Sequence, residues 1–352
     1  DAARDRSYRF MEFCGGHTHA LSRHGLEDVL PPQIEMIHGP GCPVCVLPIA
    51  RLDLAIDLAQ QRDVILCSYG DMLRVPASNG RSLLKAKAAG ADVRMVYSPR
   101  QAVDIAAANP ERDIVFFAVG FETTTPPTAA AVLAARTRGL SNFSVLCNHV
   151  LTPAAIRAIM ECGQAPPLDG FVGPGHVSTM IGADAYAPAA ELYQKPIAIA
   201  GFEPIDLLDA ILRLVRQVNA GQARVENAYA RAAPQSANRV AMDMIDQTMT
   251  VRDNFAWRGL GRIPLSAMRL NDDFADMDAE VRFALSEHDV DDHKACECAA
   301  ILRGEKRPSQ CKVFAKGCTP DSPMGACMVS PEGACAAHYL YGRFRTRQGV
   351  DA

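Results

Sequence analysis

No apolar run in the chain approaches the roughly 18 residues of a membrane span, and the opening residues, Asp1-Ala2-Ala3-Arg4-Asp5-Arg6, lack the apolar core of a secretory signal. An excess of charge is missing too. The formal net charge is −4 with 22% charged residues, so neither nucleic acid nor an anionic membrane is an expected partner. There is no G-x-G-x-x-G and no G-x-x-x-x-G-K-[ST], which removes the dinucleotide and Walker A fingerprints. A single Cys-x-x-Cys stands in the chain with no second one to complete a zinc knuckle pair. These absences leave a soluble, cytoplasmic protein of 352 residues, long enough for two or three domains.

Cysteine is what the chain has in quantity. Twelve are present, six of them between Cys296 and Cys335, and in a reducing compartment metal binding or redox chemistry explains them better than a disulfide framework. The Cys-x-x-Cys lies in Gly39-Pro40-Gly41-Cys42-Pro43-Val44-Cys45, after a short apolar run at Ile34–Ile37 and before a helical pattern from about Val46 to Gln61. Two thiols at that spacing close a small disulfide, and a helix N-terminus behind them would stabilise the attacking thiolate. A thioredoxin-like redox pair is therefore the expectation for Cys42 and Cys45. Upstream, Cys14-Gly15-Gly16-His17-Thr18-His19 groups a thiol with two imidazoles, a donor set for iron, zinc or copper. A half-buried cysteine beside two solvated histidines is the plainer alternative.

Beyond the central loop the chain alternates as a parallel α/β protein does. Strands are expected at 64–67, 93–97, 114–119, 143–147, 170–172 and 196–200, with helices at 100–109, 128–138, 152–162 and 203–220. In the last of these Ile205, Leu208, Leu212 and Val215 recur at helical steps. The strand ends carry Gly120-Phe121-Glu122-Thr123-Thr124, Asn148-His149 and Gly173-Pro174-Gly175-His176, where open α/β sheets bind ligands. Glu122 is a candidate acid/base or metal contact, or a helix cap; His149 and His176 are candidate proton donors or structural histidines. Cys67, Cys147 and Cys162 read as core residues.

The expected organisation is an N-terminal segment (1–33), an α/β lobe with the Cys-x-x-Cys (34–112), and a second α/β lobe (113–220). The two would face a cleft, and a third, mostly helical and loop domain (221–352) would follow, with a helix at about 227–250. The likeness of Gly39-Pro40-Gly41 to Gly173-Pro174-Gly175 hints that the lobes are related. In the last domain Cys296, Cys298, Cys311, Cys318, Cys327 and Cys335 lack both zinc-knuckle spacing and the compact ferredoxin run. Spread among Gly and Pro turns, they fit an iron–sulfur cluster better than zinc. Donor chemistry alone leaves open which four bind.

Four blocks together resemble the HypD family of [NiFe]-hydrogenase maturation factors: Cys14–His19, Gly39–Cys45, Gly120–Thr124 and the spaced C-terminal cysteines. The resemblance spans nearly the whole chain. The family pattern C-x14-C-x6-C-x16-C selects Cys296, Cys311, Cys318 and Cys335 as ligands of a [4Fe-4S] cluster and leaves out Cys298 and Cys327. It implies a scaffold on which the Fe(CN)2CO fragment is built. Iron would sit between Cys14 and a cysteine of the small partner HypC, with His17 close by. Cyanide would arrive as a thiocyanate on HypE, made with HypF from carbamoyl phosphate, and the finished fragment would pass to the hydrogenase large subunit. Cys42 and Cys45 would supply electrons, and Glu122 and His176 would manage protons or orient the partner's tail. The rival expectation is a free-standing iron–sulfur-dependent thiol–disulfide oxidoreductase.

Overall fold

Short, mostly apolar segments become parallel strands, and the amphipathic segments between them become the covering helices. The computed structural model describes residues 5–163, 167–288 and 290–344. Contacts divide the chain into two units, Asp1–Val46 with Ala155–Asn238 and Ala295–Ala352, and Leu47–Ala154 with Arg239–Lys294. Among the described residues no helix is long and apolar enough to cross a membrane.

Two parallel sheets hold nine of the described strands. Those of the first unit are β1 (Tyr8–Glu12), β2 (Ile34–His38), β7 (Gly170–Pro174), β8 (Ile197–Ala200) and β9 (Val225–Asn227). Those of the second are β3 (Val64–Ser68), β4 (Val93–Met95), β5 (Asp113–Gly120) and β6 (Phe143–His149). The first sheet runs β2-β1-β7-β8-β9, every pairing parallel, with Glu12 opposite both His38 and Val172. Helix Pro204–Asn219 covers it, burying Leu207, Ala210, Ile211, Leu214 and Val215 with Phe10 and Val172. The stripe expected from Ile205, Leu208 and Leu212 is displaced: Ile205 is 67% exposed. The helix is rotated so that 207, 210, 211 and 214 form the apolar face, and a capping bond from Glu203 N–H to Asp206 (3.3 Å) fixes its start.

The second sheet runs β4-β3-β5-β6, again all parallel. β3 and β6 are buried along their whole length, as strands covered on both faces must be. Two antiparallel pairs, Met249–Val251 with Met268–Leu270 and Asn254–Trp257 with Gly261–Pro264, belong to the same unit. A buried charge network ties it together. Arg51, fully buried, bonds Asn148 (2.6 Å) and Glu280 (2.7 Å), and Arg252 also pairs with Glu280. Burial would raise the Glu280 carboxyl, but the two guanidinium groups hold it down at about 2.

The parallel α/β class is as expected, while the division along the chain is different. The strand at 114–119 pairs with β3 and β6, and the strands at 170–172 and 196–200 join β1 and β2. Sheet partners are chosen by buried apolar area and not by order, so each unit is assembled from segments far apart in sequence. The resembling Gly-Pro-Gly loops consequently lie on one sheet, after β2 and β7, and do not mark two related lobes. Residues 221–352 divide between both units and do not form a third compact body. The helix expected at 227–250 is shorter, Arg239–Thr248, because Pro234 interrupts the segment before it. The helix expected from Val46 is likewise split by Pro48 into Pro43–Val46 and Ile49–Ala59.

Candidate functional site

Four strand ends of the first sheet carry the sequence motifs. Cys14 follows β1, the Gly39–Cys45 loop follows β2, Gly175-His176 follows β7, and Phe202 follows β8. The chain leaves β1 for β2 on one side and later returns to place β7 on the other, so the motifs meet at the switch point of the sheet.

Cys14 stands at the start of helix Gly15–His24, its carbonyl accepting the N–H groups of His17 (2.9 Å) and Thr18 (3.1 Å). Its own N–H donates to Glu12 Oε2 at 2.8 Å. Glu12 is completely buried, and its other oxygen takes the Thr18 hydroxyl and lies 2.9 Å from His38 Nδ1. A buried carboxylate is tolerable only when bonded in this way. Burial would lower the His38 imidazole, yet its hydrogen bond to Glu12 and that group's charge outweigh the effect and raise it. The Cys14 thiol is pushed well up, first by burial and then by the charges of Glu332 and Glu12. The thiol form is thereby favoured over the thiolate.

His17 is also fully buried. Its Nε2 is 3.0 Å from the Ala200 carbonyl, which fixes the proton on that nitrogen. Nδ1 is left with a lone pair and no hydrogen-bond partner, and burial lowers the ring's pKa, so the imidazole is neutral. Phe202 lies 5.1 Å from His17 and 3.9 Å from His176, ring centre to ring centre, the second pair stacked.

Cys42 and Cys45 form a disulfide, with Cα atoms 5.2 Å apart, at the start of helix Pro43–Val46. The Cys45 N–H points at Cys42 Sγ (3.3 Å), the local dipole that would favour a Cys42 thiolate. This loop lies against the Cys14 loop. Gly15 N–H donates to the Gly41 carbonyl at 3.1 Å, and a methyl on Gly41 would overlap the Cys14 backbone nitrogen and sit 2.7 Å from its Cα. Only glycine permits that approach.

The C-terminal cysteines gather in the same unit. Cys296, Cys298, Cys311, Cys318, Cys327 and Cys335 line one cavity with Ile301 and Phe314. Cys298 and Cys327, the two outside the family spacing, are joined as a disulfide, and the other four are in no disulfide. The turn Ala326–Met328 packs on helix Pro43–Val46, so Cys327 belongs both to the cavity wall and to the neighbourhood of the Cys42–Cys45 pair.

The structure thus groups Cys14, His17, His176, Cys42, Cys45 and the cysteine cavity within one unit. Glu122 belongs to the other. Its carboxylate accepts the Thr152 N–H (2.7 Å) and hydroxyl (2.9 Å), and burial pushes its pKa up to about 7. That makes it a tie to the helix beginning at Thr152. His149, in the same unit, bonds Thr128 Oγ1 (2.9 Å) through Nε2, and burial lowers its pKa to about 4. Glu12, His38, Phe202 and Glu332 were not picked out from sequence. An acid at the end of Tyr8-Arg9-Phe10-Met11-Glu12, two residues before Cys14-Gly15-Gly16, is the signal that could have pointed to the first of them.

Fold and site define a thiol-bearing parallel α/β protein with a Cys-x-x-Cys disulfide beside a buried cysteine and an open imidazole nitrogen. Residues 1–342 match the model of the HypD family, described as the hydrogenase formation hypA family, and the chain belongs to it. It is similar to the hydrogenase maturation factor HypD of Rhizobium leguminosarum bv. viciae, 59% identical across 99% of this chain and 92% of that one. Similarity to the Cupriavidus necator factor of the same name is 57%, across 98% and 92%. For the Escherichia coli (strain K12) factor it is 45%, across 96% and 90%. The chain is accordingly a member of the HypD hydrogenase maturation factors.

Proposed function

We propose that this chain is the scaffold on which an Fe(CN)2CO fragment is assembled, held between Cys14 and a cysteine of a HypC-type small partner. One observation carries the reading: a buried thiol and a buried, unpartnered imidazole nitrogen lie beside a Cys-x-x-Cys disulfide whose loop is hydrogen-bonded to theirs. Cyanide and CO are strong-field ligands that require low-spin ferrous iron, for which a thiolate and an imidazole are suitable donors. The buried site shields such a species from water and oxygen. His176, exposed on its outer side and stacked on Phe202, is placed to pass a proton at the edge of this site.

The cyanide step balances with the dithiol as reductant. A HypE-type donor presents cyanide as a thiocyanate, whose S–C bond breaks. Two electrons from Cys42 and Cys45 pass to it, giving the donor's thiol and cyanide, and the Cys42–Cys45 S–S bond forms. Of the two thiol protons, one goes to the donor's sulfur and one leaves with cyanide or to solvent. The completed fragment then passes to the hydrogenase large subunit.

Restoring the dithiol takes two electrons and two protons from an external one-electron donor of the iron–sulfur or flavin class. Cys296, Cys311, Cys318 and Cys335 would hold a [4Fe-4S] cluster, which when bound supplies electrons one at a time. The residues fit such a group. Burial, and then the charges of the other three thiols, push the Cys335 thiol far up, and a methyl on Gly325 would overlap the Cys296 sulfur. Four thiols set round one cavity suit a cluster. Cys298 and Cys327, joined as a disulfide, line that cavity, and the turn of Cys327 packs on the Cys42–Cys45 helix. Iron counted in the anaerobic complex with the small partner tests the reading. Cys14→Ala should lose the iron in excess of the cluster and keep the cluster itself; unchanged iron would overturn it.

A further inference from the structure

We infer that the turn joining Cys311 to Cys318 is the docking site of an acidic one-electron carrier protein, the point at which electrons enter this chain. The inference rests on the cluster reading above and adds the partner and its landing surface.

The cysteine cavity has an inner and an outer side. Cys318, Cys335, Cys298 and Cys327 are buried, and the last of these leads toward the Cys42–Cys45 helix. Cys296 and Cys311 are partly exposed. The outer side is covered by Lys312-Val313-Phe314-Ala315-Lys316-Gly317, in which Val313 and Phe314 line the cavity while still partly exposed. The segment is a tight turn. Cys318 N–H donates to the Val313 carbonyl (2.9 Å), Ala315 N–H to the Cys318 carbonyl (3.1 Å) and Phe314 N–H to the Cys311 carbonyl (3.1 Å). Lys312 and Lys316 are exposed on this turn, and neither ammonium group forms an ion pair or hydrogen bond among the described residues. Elsewhere in the segment charges are paired, Lys306 with Glu297 and Arg303 with Glu305. Asp321 is the exposed acid nearby in sequence. Between 295 and 344 there are six Lys and Arg against four Asp and Glu, in a chain whose net charge is −4.

Two exposed lysines on a hydrogen-bonded turn, flanking in sequence the half-exposed apolar side chains that wall the thiol cavity, are complementary to an acidic partner. The charges steer the encounter, and the apolar contact brings the carrier's redox centre close to the thiols. Each encounter moves one electron. The carrier is oxidised by one electron, the group held by the thiols is reduced by one, and no bond forms or breaks. Two encounters, with two protons from water, supply what one disulfide needs to become two thiols.

The test uses the full chain, reconstituted anaerobically, and a reduced plant-type ferredoxin as the probe. Stopped-flow absorbance follows reduction of the cluster. The K312E/K316E variant should be reduced about 10- to 100-fold more slowly at about 0.05 M salt, with the gap closing at about 0.5 M. K312Q/K316Q should fall between the two. Oxidised ferredoxin should bind K312E/K316E at least about tenfold more weakly than wild type. Dithionite should reduce wild type and variants equally, which shows the cluster to be intact. Ferredoxin rates that are equal in wild type and variants, or indifferent to salt, would overturn the docking site while leaving the cluster reading standing. Protein with no iron or labile sulfide after reconstitution would overturn both.

Discussion

Gly41→Ala separates the two halves of the site without altering any side chain that does chemistry. The added methyl would overlap the Cys14 nitrogen and lie 2.7 Å from its Cα, and both are backbone atoms leaving β1. One loop must move by about 1 Å, at an overpacking cost of about 1–3 kcal/mol. The Gly15 N–H bond to the Gly41 carbonyl would stretch with it. Displacement by about 1 Å of groups that must react together can cost about 100-fold in rate. Urea unfolding should show a lower midpoint with an unchanged slope. Hydrogenase maturation, assayed in cells lacking any other copy, should fall far more than the folded fraction does. Gly70→Ala is the control, since its methyl meets only the flexible end of Met95 at 3.0 Å. Gly41→Ala with wild-type stability and full maturation would refute the claim that the two loops work in contact.

Cys42→Ala should leave the protein folded and the cluster's absorbance unchanged while abolishing maturation, and normal maturation by that variant would remove the dithiol from the mechanism. Glu122, whose pKa is raised from 4.5 to about 7, binds a proton in the folded state that the unfolded chain has released. Stability should therefore fall by about 3 kcal/mol as pH rises from about 4.5 to 7. Denaturation of Glu122→Gln at pH 5 and pH 8 should lack that slope. Glu280 behaves in the opposite sense. Its pKa is lowered to about 2, so its contribution is present above about pH 4.5 and lost as pH falls toward 2. Glu280→Gln leaves Arg51 and Arg252 short of a charge and should cost about 3–5 kcal/mol at neutral pH, read by urea titration.

The strands of the second sheet were legible because β3, β5 and β6 are apolar runs buried on both faces, and such runs can be little else. β1 was hidden by its polar residues Arg9, which pairs with Glu35, and Glu12, which holds the Cys14 N–H. Which strands pair was not legible, since all nine parallel strands look alike locally and partners are set by long-range packing. Helix Pro204–Asn219 was placed correctly, but of the expected stripe only Val215 lies on the buried face: Ile205 fitted a helical period by spacing alone and is exposed. Cys14, His17 and the Cys42–Cys45 pair announced themselves through reactive residue types between glycines. Glu12 and His38 did not, because their work is to hold a backbone N–H and a carboxylate, which many residues do everywhere. Glu122 looked like a site residue by composition, and the structure shows what its carboxylate is spent on.

The central claim is that iron carrying cyanide and CO is built on Cys14. An anaerobic infrared spectrum of the chain co-purified with its small partner, in the region of CN and CO stretches, addresses it most directly. Two cyanide bands and one CO band are expected, all lost in Cys14→Ala. An iron-replete complex with an intact cluster, a reducible Cys42–Cys45 disulfide and no such bands would contradict the scaffold and leave a thiol–disulfide oxidoreductase in its place.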